Sequence, residues 1–194
     1  MTDDFAESIR KRMGGSSQIT YEDRAAFNEK ADRTIGSTFG TLKGSMEDLG
    51  WERIGTDTDA SRAVARRGGV VVKFDYIGDP WRNTNEQRNW ETALPASAKH
   101  LFAPVIETAE DDEWLVMEAA DTDAVTPEAH RGLLRELIVE HNLDMTDPHP
   151  DNVGMLDGRA VMIDYNFQPR EVADSREERI AAYEKKLRDY DIEP

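Results

Sequence analysis

The chain contains no cysteine and no long apolar run among its 194 residues. The absence of cysteine excludes disulfides, thiolate metal sites and cysteine nucleophiles. No stretch approaches the roughly 18 consecutive apolar residues that a membrane-spanning helix requires. The N-terminal sequence Met1-Thr-Asp-Asp is acidic and lacks the basic and apolar segments of a signal peptide. We therefore expect a cytoplasmic protein with no membrane partner.

Basic residues are also scarce: 24 Lys and Arg stand against 40 Asp and Glu, which gives a formal net charge of −16. Such a field repels nucleic acid, so a basic nucleic-acid groove is not expected. The acidic residues are spread evenly along the chain, and only 7 of the basic residues are lysine. This composition is typical of a halophilic cytoplasmic protein. Molar salt shortens the Debye length to about 3 Å and so screens the repulsion between the carboxylates. An ordinary acidic protein is the alternative interpretation.

Salt concentration is therefore expected to control the stability of the fold. Repulsion among the excess carboxylates favours the unfolded chain unless counter-ions screen it. We expect the thermal unfolding midpoint, followed by circular dichroism, to rise until KCl reaches about 1 M, where the Debye length is about 3 Å. A midpoint that is the same in low and molar KCl would contradict the halophile interpretation.

Local patterns predict an α+β chain in three parts. Residues 1–48 are predicted to form an N-terminal helical extension, with one helix over 3–12 and a second helix that Thr20 caps. Residues 49–120 are predicted to form a small lobe with an antiparallel sheet and one helix. Residues 121–194 are predicted to form a reduced C-terminal lobe.

Short strands and turns are predicted in the small lobe. Gly68-Gly69 is a two-residue hairpin signal between two of the strands. The predicted strands are 51–54, 62–66, 70–74 and 113–118, and the stretch 34–44, which holds three glycines, is predicted to be a loop.

Three further helices are marked by their first residues. Asp79 and Pro80 begin a helix that ends before Pro95. This helix places Glu86 and Trp90 one turn apart on the same face, and Trp90 is expected to pack in the core, as is Trp114. The other two helices begin at Thr126-Pro127, with an apolar stripe of Leu133, Leu134, Leu137 and Ile138, and at the capping box Ser175-x-x-Glu178.

The most informative stretch contains Asp157-Gly158 between two apolar runs, which predicts a two-residue hairpin turn. In that register Asn152 lies opposite Ile163, and Asp151 lies opposite Asp164. Asn152 and Asp164 therefore meet at the open end of the hairpin, with their backbones about 5 Å apart.

Hard oxygen ligands are thereby gathered at one end of the predicted hairpin. The carboxylate of Asp164 and the carboxamide of Asn152 suit a Mg²⁺ ion that substrate phosphates also hold. Asp147, on the preceding loop, can accept a proton or orient a hydroxyl group there. The alternative is that these side chains only cap turns and that Asp147 forms a turn before Pro148.

The motif Asp147-x-His149-x-x-Asn152 followed by Ile163-Asp164 resembles the catalytic loop and metal-binding aspartate of the protein-kinase-like superfamily. The form is similar to that of small-molecule kinases of the aminoglycoside-phosphotransferase type. The resemblance covers about residues 50–167. It implies a two-lobed α+β kinase-like fold with a truncated C-terminal lobe, ATP and Mg²⁺ as cofactors, Asp147 as a catalytic residue, and Asn152 and Asp164 as metal ligands. We expect His149 to order the loop through hydrogen bonds.

The resemblance also assigns roles to upstream residues. Lys73 on the strand 70–74 resembles the lysine that contacts the phosphates of ATP, and Glu86 resembles its helical partner. Glu118 and Ala119 end the strand whose backbone reads adenine in the family. The alternatives are that Lys73 snorkels from a sheet edge and that Glu86 is a solvated helix residue.

The loop that covers the phosphates departs from the family pattern. It is acidic rather than glycine-rich, and Asp57 and Asp59 repel a triphosphate unless they point away or help to hold a cation. Ser61 remains a candidate hydrogen-bond donor to phosphate, and Arg62 remains a candidate anchor of the loop.

The C-terminal part departs in two further ways. Asp164 is followed by Tyr165-Asn166-Phe167 instead of Phe-Gly, which is expected to keep the metal ligand and change the packing of the loop. Only 27 residues follow Phe167, so we expect no room for the peptide-binding helices of a protein kinase.

Two functions are consistent with these residues. The first is a minimal phosphotransferase that moves the γ-phosphate of ATP to a hydroxyl group of an unknown acceptor, either a small molecule or a protein docked through residues 1–48. The second is a pseudokinase-like module that binds nucleotide or a protein partner without catalysis. An unrelated α+β fold is a third alternative. Loss of an activity in Asp147→Asn would favour the first.

Overall fold

The fold is that of a computed structural model, which describes residues 19–33, 45–54, 62–75, 81–165, 167–169 and 175–192. Several sequence predictions fall outside the described residues: the helix over 3–12, the loop over 34–44, the acidic loop with Ser61, the helix start at Asp79 and Pro80, and Asn166. In the part of the chain that is described, no helix combines the length and apolarity needed to cross a bilayer.

The described residues divide into two units. The first contains the described residues up to Thr84 together with Val105–Ala119. The second contains Asn85–Pro104 together with the described residues from Ala120 onward. Residues 85–104, which the sequence assigns to the small lobe, thus group with the C-terminal residues.

Five strands form the antiparallel sheet of the first unit: β1 (Glu52–Ile54), β2 (Arg62–Arg67), β3 (Val70–Asp75), β4 (Val105–Thr108) and β5 (Trp114–Glu118). Their spatial order is β1-β2-β3-β5-β4. All six residues of β3 are buried, which explains why the strand begins with three consecutive valines rather than alternating apolar and polar residues. The four predicted strands are confirmed. Strand β4 has no clear sequence signal, and its pairing with β5 shifts register between Val105 and Glu107.

Gly68 and Gly69 form the predicted two-residue turn between β2 and β3. Arg67 pairs with Val70 across this turn. Gly68 adopts a φ of +56°, which glycine reaches without the steric cost that a Cβ atom imposes. The predicted hairpin is confirmed.

The first described helix begins where the sequence predicts a cap. Thr20 Oγ1 accepts a hydrogen bond from the N–H of Asp23 at 3.2 Å, and Asp23 Oδ2 accepts one from the N–H of Thr20 at 2.8 Å. This reciprocal pair satisfies two backbone donors at the start of the helix. The helices are α1 (Tyr21–Arg33) and α2 (Ser45–Asp48).

Phe27 of α1 lies at the centre of the core of the first unit. Its ring is fully buried and meets the rings of Trp51, Phe74 and Trp114 edge-on, at centroid distances of 5.1, 5.9 and 5.3 Å. Edge-on pairs of this kind add to the energy of burial. The described part of the predicted extension therefore supplies core residues to the sheet, and the predicted packing role of Trp114 is confirmed.

Helix α3 (Trp81–Arg88) is tied to the sheet of the first unit by Asn83, which is fully buried. The N–H of Asn83 donates to Asp75 Oδ2 at 2.6 Å. Its side-chain Nδ2 donates to the carbonyl oxygens of Asp112 and Glu113 at 2.9 and 3.2 Å. These bonds fix the first turn of the helix against the sheet.

Two helices continue as π-helical turns. Helix α3 runs on through Asn89–Ala93 and ends before Pro95, as predicted. Helix α4 (Pro127–Arg135) runs on through Glu136–Glu140. It begins at the predicted cap, where Thr126 Oγ1 accepts a hydrogen bond from the N–H of Ala129 at 3.1 Å. Its predicted apolar stripe is buried: Leu133, Leu134, Leu137 and Ile138.

The remaining elements of the second unit are two short sheets and a helix. The hairpin register predicted from Asp157-Gly158 is confirmed, because Leu156 pairs with Arg159 and Val153 with Met162. The predicted capping box between Ser175 and Glu178 is also present. The elements are β6 (Leu143–Met145) paired with β9 (Phe167–Pro169), β7 (Val153–Leu156) paired with β8 (Arg159–Met162), and α5 (Arg176–Asp189).

Candidate active site

The β6–β9 pair brings two of the predicted site residues to one end of a sheet. Met145 of β6 pairs with Phe167 of β9 in antiparallel fashion. Asp147 follows Met145 in the chain and Asp164 precedes Phe167. Because antiparallel strands run in opposite directions, the residues after one strand and before the other leave the pair at the same end. Asp147 and Asp164 therefore lie on the two segments that extend from this end.

The β7–β8 hairpin brings Asn152 to the segment that carries Asp164. The N–H of Ile163 donates to the carbonyl oxygen of Asn152 at 2.9 Å, one position beyond the last ladder pair. Asn152 and Ile163 are thus opposite each other, as the sequence predicts, and Asp164 follows directly. Both Asn152 and Asp164 are half-buried.

Asn152 also bonds to Asp147. Its Nδ2 donates to Asp147 Oδ2 at 3.0 Å and to the carbonyl oxygen of Asp147 at 3.1 Å. Because the amide nitrogen is committed to Asp147, the Oδ1 atom of Asn152 is the atom that can ligate a cation. The carboxylate of Asp147 keeps its second oxygen, Oδ1, for another partner.

His149 orders the loop between these residues, as predicted. Its Nδ1 accepts a hydrogen bond from the N–H of Asp151 at 3.3 Å, and it precedes the 3₁₀ turn Pro150–Asn152. The N–H of Asn152 donates back to the carbonyl oxygen of His149 at 2.9 Å. The loop is therefore closed on itself around the site.

The donor set suits magnesium that is shared with a substrate. Among the described residues, no group of three or more histidine or carboxylate side chains is placed to hold a metal ion. Protein sites for Mg²⁺ commonly use one or two carboxylates, with substrate phosphates completing an octahedral shell. One carboxylate from Asp164 and one amide oxygen from Asn152 match that pattern.

Tyr165, the residue after Asp164, is held at several points. It is 1% exposed, and its hydroxyl group donates to the carbonyl oxygen of Ala103. Its ring meets the rings of Trp90 and Phe102 at centroid distances of 6.1 and 5.1 Å. Trp90 itself is half-buried, although the sequence predicts a core position. The hydroxyl group of Tyr165 therefore adds a buried hydrogen bond at this point of the loop.

Asn89 is a further contact of this loop that the sequence analysis missed. Its Nδ2 donates to the carbonyl oxygen of Tyr165 at 2.9 Å, and the residue is 6% exposed. The signal that could have found it is the spacing of Asn83, Glu86 and Asn89, three polar residues at intervals of three on one helix. All three are buried, and buried polar groups require partners.

His130 of α4 supports the loop that carries Asp147, and the sequence analysis missed it too. Its ring is 1% exposed, and Nε2 donates to the carbonyl oxygen of Pro148 at 2.9 Å. Burial lowers the pKa of His130, so the ring is neutral at neutral pH. A lone buried histidine on an apolar stripe gives no sequence signal for this contact.

Lys73 and Glu86 are both buried, at 7% and 3% exposure. Lys73 lies on β3, which has β2 on one side and β5 on the other. The alternative that Lys73 snorkels from a sheet edge is therefore wrong, and so is the alternative that Glu86 is solvated. Glu91, in the π-helical turn that follows α3, is exposed. Lys73 belongs to the first unit and Glu86 to the second, and their pairing stays a prediction.

The predicted adenine-reading segment has one backbone donor already in use. Glu118 is buried at the end of β5 and pairs with Val70. The N–H of Ala119 donates to the carbonyl oxygen of Gly69 at 2.9 Å, so an adenine at this position must use another backbone group. Of the candidate phosphate contacts, Arg62 begins β2, and Ser61 precedes the described residues.

No family model and no curated protein matches this chain. Among the solved structures that are similar to it are two proteins that are kinases by name. The bifunctional kinase-methyltransferase WbdD has 21% identity and a TM-score of 0.45 over 70% of this chain, which spans 38% of the WbdD chain. Choline kinase LicA from Streptococcus pneumoniae has 15% identity and a TM-score of 0.38 over 73% of this chain and 78% of its own.

Proposed function

We propose that the protein is a small kinase-like phosphotransferase that transfers the γ-phosphate of ATP to a hydroxyl group with Mg²⁺. The observation that carries the proposal is the constellation of Asp147, Asn152 and Asp164. Two short sheets bring these residues together, and Asn152 bonds directly to Asp147. Phosphoryl transfer depends on positioning and charge stabilisation, and this set supplies a base and two metal ligands.

The roles follow from the atoms that each residue has available. Asn152 Oδ1 and the Asp164 carboxylate are the metal ligands, and bound Mg²⁺ neutralises charge on the phosphate oxygens. Asp147 Oδ1 accepts the proton of the attacking hydroxyl group as the oxygen–phosphorus bond forms. The bond from the γ-phosphorus to the bridging oxygen breaks, and ADP leaves.

The other assignments concern nucleotide binding. Lys73, with Glu86 as its partner, is assigned to the phosphates, since a lysine buried in a central strand must meet negative charge. Glu118 and Ala119 are assigned to the adenine, and Ser61 and Arg62 to the loop over the phosphates. The acceptor is either a small molecule or a protein that contacts residues 1–48.

Calorimetric titration of ATP in molar KCl tests the proposal, with and without Mg²⁺. We expect ATP to bind more tightly with Mg²⁺, and the Mg²⁺-dependent part to fall at least roughly 10–100-fold in Asp164→Ala, because the loss of a residue that only orients a metal ligand already costs affinity on this scale. Asp151→Asn is the matched control, because it removes one exposed carboxylate from the same loop. We expect this variant to bind like the wild type.

Two outcomes would count against the proposal. A folded wild-type protein that binds no ATP with Mg²⁺ would contradict nucleotide binding altogether. Binding that is equal in Asp164→Ala and the wild type would contradict the metal assignment. Binding of MgATP with no turnover would favour the alternative, a nucleotide-binding module without catalysis.

A further inference from the structure

We propose that Asn89 is a positioning residue for Asp164, acting through the backbone of Tyr165. This inference rests on the proposed function, because it concerns how the metal-binding carboxylate is held. Asn89 lies more than 70 residues before Asp164 in the chain. Its side chain bonds to the carbonyl oxygen of Tyr165, the residue after Asp164.

The hydrogen bond between Asn89 and Tyr165 joins two buried groups. Nδ2 of Asn89 and the carbonyl oxygen of Tyr165 are 2.9 Å apart, and both residues are at least nine-tenths buried. The same carbonyl oxygen also accepts the N–H of Phe167 at 3.0 Å, so Asn89 supplies the second of its two hydrogen bonds and ties it to the helix. It fixes the carbonyl group of Tyr165, one residue after Asp164.

Tyr165 is anchored independently at its other end. Its hydroxyl group bonds to the carbonyl oxygen of Ala103, and its ring packs against Phe102 and Trp90. Contacts at its carbonyl, its ring and its hydroxyl group fix both the backbone and the side chain of Tyr165. The chain directly after Asp164 is therefore held by the contacts of Tyr165 and Asn89.

The π-helical turn that begins at Asn89 is part of the same arrangement of contacts around Tyr165. The N–H of Leu94 donates to the carbonyl oxygen of Asn89 at 2.8 Å, so the main-chain carbonyl of Asn89 is hydrogen-bonded within the helix. Its side chain is then free to serve the loop. π-helical turns inside helices occur frequently at functional sites.

The test measures how much Mg²⁺ strengthens ATP binding in variants that leave Asp164 in place. The measured quantity is the ratio of ATP affinity in Mg²⁺ to ATP affinity in EDTA, obtained by calorimetry on the full chain in molar KCl. In Asn89→Leu we expect this ratio to fall about tenfold, the lower end of the usual effect of residues that orient metal ligands. Tyr165→Phe, which removes only the hydroxyl group, should lower the ratio in the same direction by less.

Asn83→Leu is the matched control on the same helix. Asn83 is equally buried, and its Nδ2 also donates to backbone carbonyl oxygens, at Asp112 and Glu113. A general loss of packing lowers ATP affinity with and without Mg²⁺ alike, so the ratio should stay within about twofold of the wild type in this variant. A changed ratio in Asn89→Leu alone isolates the effect on the metal site.

Failure of this inference is distinct from failure of the proposed function. If the wild type binds ATP with Mg²⁺ but Asn89→Leu and Tyr165→Phe both keep its ratio, the positioning role is overturned and the function stands. An equal fall in Asn83→Leu also overturns it. If the wild type shows no dependence on Mg²⁺, the proposed function fails, and the positioning role fails with it. Tyr165→Phe decides the question if Asn89→Leu does not fold.

Discussion

Replacing Asp147 with asparagine is expected to lower the rate of phosphoryl transfer by roughly 10²–10⁴-fold, the usual contribution of a general base. Asparagine is isosteric with aspartate and keeps an oxygen that can accept the hydrogen bond from Asn152 Nδ2, which lies 3.0 Å from the carboxylate. The loop should therefore keep its geometry, and MgATP should bind as in the wild type. The rate is measured as ADP formation with water as the acceptor, under single-turnover conditions.

Asp144→Asn is the control for the loss of one carboxylate near this loop. Asp144 lies on β6, is half-buried, and pairs with Lys186 at 3.6 Å. We expect turnover in this variant to match the wild type. Equal turnover in Asp147→Asn and the wild type would show that Asp147 is not the base. MgATP binding with no turnover in the wild type would instead support a module without catalysis.

The parts of the fold that the sequence predicted are those with local signals. Thr20, Thr126 and Ser175 each cap a helix through a bond to a residue three positions later. The register of the β7–β8 hairpin follows from Asp157-Gly158, because a two-residue turn leaves one pairing. That register alone placed Asn152 opposite Ile163 and therefore next to Asp164. These two predicted metal ligands are half of the candidate site.

The other half of the site depends on a pairing that sequence cannot show. Strands β6 and β9 have three residues each, and Met145 pairs with Phe167 across the whole β7–β8 hairpin. Three residues are too few to establish an alternating pattern. The approach of Asp147 to the Asp164 segment was therefore expected from the position of Asp147 on the loop before Asn152 and from the resemblance, and not from strand pairing.

Buried polar residues were missed for a related reason. Asn83 and Asn89 lie three residues before and after Glu86, and such polar residues would be read as solvated positions of a helix. Asn83 and Asn89 are instead buried against backbone carbonyl oxygens at Glu113 and Tyr165. Those partners are distant in sequence, so only the tertiary structure shows that the polar face points inward.

Helix α1 illustrates the same limit for packing. The cap at Thr20 predicts where it begins, but its low apolar content favours a solvated extension. Phe27 nevertheless fills the centre of the core, and Asp23 is fully buried beside Trp51. Asp23, Ala26 and Phe27 are all buried, and they dock the helix although it contains few apolar residues.

Removal of the Asp23 carboxylate is expected to destabilise the fold more than any surface substitution. The side chain is fully buried and accepts hydrogen bonds from Arg67 Nη1 and Nη2, both at 2.6 Å, and from Trp51 Nε1 at 2.9 Å. Arg67 also stacks on the Trp51 ring at 4.7 Å. Loss of one partner of a buried ion pair typically costs about 3–5 kcal/mol, a large fraction of the roughly 5–15 kcal/mol that stabilises a typical protein.

The pKa of Asp23 makes this contribution depend on pH. Burial acts to raise the pKa, but hydrogen bonds from Arg67, Trp51 and Thr20 outweigh it and lower the pKa from 3.8 to about 2. The folded state therefore binds its proton less readily than the unfolded state does. The stabilisation, about 2 kcal/mol for a shift of this size, is fully present above the unfolded pKa and is lost as the pH falls from about 4 towards 2.

Urea unfolding at fixed KCl concentration, at pH 7 and at pH 3, checks both effects. Asp23→Asn should unfold at lower urea at pH 7, and its free energy of unfolding should fall less than that of the wild type on going to pH 3. Glu47→Gln, which removes an exposed carboxylate from the same unit, should keep the wild-type pH dependence. Combining Asp23→Asn with Arg67→Met should cost less than the sum of the two single changes, because they share one interaction. An additive double variant, or equal pH dependence in Asp23→Asn and the wild type, would show that Asp23 does not act through Arg67.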